Sequence, residues 1–213
     1  MKTSIALLFC ISLTIAAAQT DSSYAIPFAS KGNTIDLTVA NTSNIAAQGV
    51  SVCVSNAPSW VKFDSTRLTI KSLAASAEQS ATFSFAVDKS APVGKEQVLS
   101  FSISANGQTW TKNIAIKVAP PQTFTLYQNY PNPFNPTTVI SYELSKDSRV
   151  QLKIYDMLGR EVTMLADEQQ PAGYYQKTFN ASRFASGVYI YRLIATDDQN
   201  KQHVFQKKML MLK

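Results

Sequence analysis

The chain has 213 residues, 20 Lys and Arg against 14 Asp and Glu, and a formal net charge of +6. That length suits one or two domains of about 100–150 residues, each long enough to bury a core. The cations are scattered without interleaved aromatics, which argues against nucleic-acid binding, and the 7 glycines are too few for a linker or low-complexity chain.

The first residues predict a leader. Lys2 precedes an apolar run from Ile5 to Ile15, and Ala16, Ala17 and Ala18 follow. A positive start, a short apolar stretch and a small-residue site make a secretory signal peptide, residues 1–18, with cleavage after Ala18. The run is shorter than the roughly 20 apolar residues of a membrane span, and no later stretch is longer, so no transmembrane segment is expected. Cys10 follows the bulky Phe9 and comes too early to read as a lipid-anchor site. Its loss leaves Cys53 alone, so no internal disulfide is expected. Cys53 lies in the run Val50-Ser51-Val52-Cys53-Val54 and reads as an inert, buried, small apolar residue.

From residue 19 onward the pattern is that of strands. Apolar residues alternate at Ile35/Leu37/Val39, Val50/Val52/Val54, Leu68/Ile70, Phe83/Phe85/Val87, Leu99/Phe101/Ile103 and Ile114/Ile116/Val118. Turn signals separate them: Asn41-Thr42-Ser43-Asn44, Asn56-Ala57-Pro58, Pro92-Val93-Gly94 and Asn106-Gly107. Asn-Gly accepts positive φ at both positions, so the last predicts a two-residue hairpin. The serine-broken stretch 73–79 reads as a loop. Six or seven short strands over about 100 residues predict an immunoglobulin-like β-sandwich for residues 19–119, without the Cys–Trp–Cys hallmark of antibody domains.

Pro120 and Pro121 then form a stiff, exposed linker over residues 120–123. Strand patterning resumes at 139–144, Val150/Leu152/Ile154, 161–165, 174–179, 188–193 and 204–212. The fold class is therefore all-β: two immunoglobulin-like sandwiches in tandem after the signal peptide, the second over residues 124–213.

The second half carries the distinctive residues. In the run LYQNYPNPFNPTTVISYEL, Asn129, Asn132 and Asn135 alternate with Pro131, Pro133 and Pro136, around Phe134. Asparagine side chains bond nearby backbone and start turns, and each proline pushes its predecessor to an extended conformation. Phe134 is expected to anchor this rigid loop in a core. Gly159 supplies positive φ in a tight turn after Leu158, and Gly187 is expected where the backbone passes close to a neighbour. Lys207, Lys208 and Lys213 give the terminal strand a charged end.

These motifs resemble the type A C-terminal sorting domain of the type IX secretion system. The Asn-Pro segment is similar to its start, KIYDMLGREV to its strand–turn–strand hairpin, ASGVYIYRL with Gly187 and Tyr189 to its late strand, and QKKMLMLK to its basic, apolar terminus. Their order, ending at the chain terminus, carries the resemblance. It implies export through an outer-membrane translocon, cleavage by a sortase near residues 119–122, and attachment to surface lipopolysaccharide, which makes the protein secreted or cell-surface-attached by way of the periplasm. A translocon reading the terminal lysines by strand addition is one expectation; a solvated charged end is the other.

No cluster of residues suggests catalysis. His203 is the only histidine, no zinc-ligand spacing is present, and a carboxylate pair could form only between distant residues such as Asp64 and Glu78, which the sequence cannot bring together. Asp197-Asp198-Gln199-Asn200 lacks the spacing of a calcium loop and reads as a hairpin turn. Cofactors are not expected, nor is an enzyme. The expected function is that of a structural or interaction protein displayed by its sorting domain. The alternative is a carbohydrate-binding module with Trp60 and Trp110 as a possible ligand platform.

Overall fold

Alternating side chains place one face of each run against a core, and the backbone of the computed structural model follows that pattern. It describes residues 4–10, by backbone alone, and residues 23–213. Every helix or strand among them is a β-strand. The chain divides into two compact units, Met1–Ala119 and Pro120–Lys213.

The first unit contains β1 (Ser4–Cys10), β2 (Tyr24–Ile26), β3 (Asn33–Ala40), β4 (Ala47–Asn56), β5 (Val61–Phe63), β6 (Arg67–Leu73), β7 (Glu78–Val87), β8 (Glu96–Ala105) and β9 (Gln108–Val118). They form two sheets, ordered β1-β3-β7-β5 and β2-β9-β8-β4-β6. Ile35, Leu37 and Val39 from the first sheet share one buried cluster with Val52, Leu99 and Ile103 from the second. Phe83 and Phe101 meet across it with centroids 5.3 Å apart. Such a pair adds about 0.5–1.5 kcal/mol beyond its buried area. The predicted leader is described only in part: β1 pairs in parallel with β3, from Ser4 opposite Thr34 to Cys10 opposite Ala40, while residues 1–3 and 11–18 lie outside the described residues.

The turns obey local chemistry. Asn106 and Gly107 have φ of 50° and 77°, as a two-residue hairpin turn between β8 and β9 requires. Asn41 is buried, and its Nδ2 donates to the carbonyls of Ile45, Leu73 and Ala74, tying two loops together. β2 and β5, three residues each, were too short to show a period in the sequence.

Three expectations for this part of the chain change. Cys53 is only half-buried, because β4 turns it to the outer face, where Sγ lies 3.4 Å from Ser51 Oγ. Val52 and not Cys53 takes the core position. Trp60 is 7% exposed and belongs to the core, and Trp110 is half-buried against it. A buried ring offers no flat face to a sugar, so the two tryptophans do not make a joint surface platform. Pro121 is buried while Pro120 and Gln122 are exposed, so the proline segment is not solvated throughout.

The second unit holds β10 (Thr125–Leu126), β11 (Thr137–Leu144), β12 (Ser148–Tyr155), β13 (Glu161–Gln170), β14 (Gly173–Asn180), β15 (Gly187–Asp197) and β16 (Gln202–Met211). Its sheets are β10-β11-β14 and β13-β12-β15-β16. Ile140, Tyr142 and Phe179 from one meet Leu152, Tyr191 and Met209 from the other in one buried cluster. Lys177 Nζ on β14 reaches Glu168 Oε1 on β13 at 2.8 Å, and Tyr142 Oη donates to Gln170 Oε1 at 2.9 Å. Together they link the two sheets through β13.

Candidate functional site

Tyr130, Asn132 and Asn135 each precede a proline, and prolines have no N–H to give to a strand partner. The segment 128–136 therefore forms an ordered loop whose polar groups are satisfied one by one. The Tyr130–Pro131 and Asn132–Pro133 peptide bonds are cis. Asn129 is buried and sits at the hub. Its backbone N–H donates to Tyr191 Oη at 2.9 Å, and its Nδ2 donates to the Pro131 carbonyl at 3.0 Å and to Thr138 Oγ1 at 2.9 Å. Gln128 Nε2 donates to Asn129 Oδ1 at 2.8 Å. Thr138 Oγ1 donates to the Pro131 carbonyl, and Tyr191 Oη to the Tyr127 carbonyl. Burying an amide is tolerable only when each polar atom is paired, as here.

The same loop runs beside the terminal strand. Gln128 Nε2 donates to the Lys208 carbonyl at 2.8 Å, and Leu210 N–H donates to Asn132 Oδ1 at 2.9 Å. Phe134 N–H donates to the Leu210 carbonyl at 3.0 Å, and Leu212 N–H to the Phe134 carbonyl at 2.9 Å. Phe134 itself is buried, 6.0 Å from Phe179 between centroids. The Asn-Pro motif thus caps the outer edge of β16 over residues 208–212. An uncapped edge strand is a template for pairing with another chain. Addition of a foreign strand beside the terminal residues would have to displace the loop first, which counts against strand addition at that point.

The remaining predicted residues fall in different places. Pro136 accepts from Ala181 N–H through its carbonyl at 2.9 Å, and the side chain of Asn135 is exposed. Gly159 has φ 77° in the β12–β13 turn, where Asp156 accepts from the N–H groups of Leu158 and Arg160 and pairs with Arg160 Nε at 2.7 Å. Gly187 has φ 153°, but a Cβ there would meet nothing within 4 Å. Its backbone conformation, not a close approach, favours glycine. Tyr189 is buried and donates to the Ala185 carbonyl. The lysines separate: Lys207 lies on the inner side of β16, half-buried; Lys208 is exposed on the outer side; Lys213 lies past the strand end.

Three residues that lie within the sequence motifs but carried no assigned role there, Gln128, Thr138 and Tyr191, complete the network. Only Tyr191 gave a signal, as an alternate aromatic in β15. Burial is the main cause that pushes its phenol up to about 12, partly opposed by the Asn129 N–H, and burial likewise raises Tyr142 to about 12. His203 stacks on Phe124 with centroids 4.0 Å apart, and its Nε2 lies 3.2 Å from Asp197 Oδ2. Burial pulls the Asp197 carboxyl up, but the N–H groups of Lys201 and Gln199, with His203, hold it below its ordinary range. Among the described residues no group of three or more His, Cys, Asp or Glu is placed to hold a metal ion, and no helix is long and apolar enough to cross a membrane.

Residues 128–209 match the family described as the secretion system C-terminal sorting domain. No curated protein matches the chain. Among solved structures, the bacterial integrin-binding protein invasin is similar at 14% identity and a TM-score of 0.40, over 89% of this chain and 37% of that one. A Porphyromonas gingivalis protein of unknown function is 16% identical at a TM-score of 0.35, over 87% and 95% of the two chains. Dimeric latent PorU of the same organism is 13% identical at 0.34, over 95% of this chain and 20% of its own length. These likenesses are loose and assign no activity.

Proposed function

Residues 128–209 belong to the C-terminal sorting-domain family of type IX secretion, and from that premise we propose that the chain is an exported protein held at the cell surface, with an interaction module as its cargo. The sorting domain implies contact with the secretion machinery. The observation that carries the reading is the family match over a unit whose defining Asn-Pro motif is built into the terminal strand by four hydrogen bonds.

In this reading residues 1–18 are a leader, and the folded second unit is presented to an outer-membrane translocon from the periplasm. A sortase then cuts near residues 119–122 and joins the first unit to lipopolysaccharide. The first unit serves as an immunoglobulin-like interaction module and not as an enzyme. Its two facing sheets with Ser- and Thr-rich outer surfaces support that role, and the chain's one histidine is taken up by Phe124 and Asp197.

The test is a fluorescent reporter carrying a leader at its start and residues 120–213 at its end, made in a bacterium with type IX machinery. Surface fluorescence that external protease removes is expected. A reporter that stays in the periplasm would refute the proposal.

A further inference from the structure

A strand buried on one face alternates apolar and polar residues, whereas one covered on both faces reads as a nearly continuous apolar run. β15 reads GVYIYRLIATD, which is the second kind. Yet its two faces are covered unequally within this unit: Tyr189, Tyr191, Leu193 and Ala195 are buried, while on the other side Ile190, Arg192 and Ile194 are half-buried and Val188 is exposed. On neighbouring β16, Val204, Gln206, Lys208 and Leu210 continue that outer face. The register sets Val188 opposite Leu210, Ile190 opposite Lys208 and Ile194 opposite Val204. Val204 is 55% exposed.

The other outer faces differ. In the first unit, β4, β8 and β9 set Cys53, Ser102 and Thr111 in one row and Ser51, Ser104 and Thr109 in the next. In the second unit, β11 and β14 set Ser141 opposite Gln176. These stretches of outer face carry mainly polar residues, with single apolar side chains such as Val98 and Val139 among them. β15 and β16 instead group five aliphatic side chains, Val188, Ile190, Ile194, Val204 and Leu210, around Arg192, Gln206 and Lys208, and a grouping of exposed apolar side chains marks an interaction surface.

Its charges are unbalanced. Arg149 pairs with Asp167 at 2.8 Å and Lys153 with Glu161 at 2.9 Å. Arg192 lies opposite Lys153 and meets no carboxylate: it donates to Tyr155 Oη at 2.6 Å, its guanidinium carbon sits 4.6 Å from that ring's centroid, and its Nε is buried without an acceptor. Lys208 has no acidic partner among the described residues either. The face thus offers branched aliphatic side chains around two uncompensated cations.

We infer that the outer face of β15 and β16 docks a protein component of the secretion machinery that presents apolar side chains and carboxylates together. The inference rests on the sorting-domain reading and names the surface through which it works. A carboxylate from the partner would complete the Arg192 and Lys208 cations, and its apolar groups would cover Val188, Ile194, Val204 and Leu210. Complementary charge fixes register and excludes wrong partners, while apolar burial supplies affinity.

Three full-chain variants test this in a bacterium with type IX machinery: Lys208→Glu, the double substitution Val204→Ser with Leu210→Ser, and Gln176→Ser on the opposite sheet as control. Surface-exposed protein is measured as a fraction of the total, and the purified chains are melted. The first two are expected to lower the surface fraction by about tenfold or more, as loss of a central contact does, with melting temperatures near the parent's, while the control is unchanged. Folded face variants that reach the surface like the parent would overturn the inference and leave the sorting reading intact. A parent chain that itself stays inside would overturn both. Purified parent binding to anionic lipid or lipopolysaccharide vesicles, with binding lost in Lys208→Glu, would assign the face to a lipid surface and overturn the protein partner.

Discussion

Asn129 and Tyr191 show how much one pair of residues can hold. Tyr191 Oη accepts from Asn129 N–H inside the core and donates to the carbonyl of half-buried Tyr127, both at 2.9 Å. Tyr191→Phe keeps the ring and strands the buried N–H, which costs about 1–3 kcal/mol. Urea unfolding of the purified chain should show that loss in the later, or only, transition that involves the second unit. Gly159 is a different case. Its φ of 77° strains any side chain although space is open, so Gly159→Ala is expected to cost about 1–2 kcal/mol, with the cost read from the same denaturation curve. Gly187 was expected to permit a close approach, and the open space around it moves the reason to backbone conformation. Neither cause is visible in the letter G, because φ is set by what the flanking strands require.

At the scale of elements, the proline-rich loop and β16 act as one piece. The four bonds from Gln128, Asn132 and Phe134 replace the partner strand that β16 lacks along residues 208–212. Asn132→Ala removes the acceptor for Leu210 N–H, and amide hydrogen exchange should quicken at Leu210 before it changes at core amides such as Leu152. Phe134→Ala removes the buried anchor as well. It is expected to cost about 3–5 kcal/mol and to make the terminal residues sensitive to protease. Equal protection of Leu210 in the parent and in Asn132→Ala would show that the loop does not hold the strand. The turns are simpler. Asn106-Gly107 and the Asp197 hairpin could be read from the sequence, because their bonds are local: Asp197 Oδ1 accepts from Gln199 and Lys201 N–H within four residues.

At the scale of the whole molecule, charge and burial set the pH range. The Lys177 ammonium, then the Gln170 amide, hold the Glu168 carboxyl below its ordinary value. At Asp156, burial works upward but is outweighed by Arg160 and the backbone N–H groups, so that carboxyl too is lowered, as is Asp197. Lowered carboxylates stabilise the fold above their unfolded values of about 4, and that contribution is lost as pH falls through the folded values. The buried phenols act at the other end. Tyr142 and Tyr191 are raised to about 12, so their contribution is complete below about pH 10 and disappears as pH climbs toward 12. Chemical denaturation from pH 2 to 12 should give a plateau with a fall at each end. In Tyr191→Phe the alkaline fall should be smaller.

The sequence by itself determined the strand class, most strand positions, the hairpin turns and the identity of the second unit. Those depend on period-two burial, on φ preferences and on short motifs, all of which act within a few residues. Tertiary structure decided the rest. It turned Cys53 outward and Trp60 inward, since which face of a strand meets the core depends on the opposing sheet. It joined Asn129 to Tyr191, which lie 62 positions apart, and set the Asn-Pro motif along the edge of β16. It also placed Lys207 and Lys208 on opposite faces and left an aliphatic, cationic surface on β15 and β16. An apolar run in β15 says that both faces seek cover; only the assembled sheet shows which face the fold itself leaves half-covered.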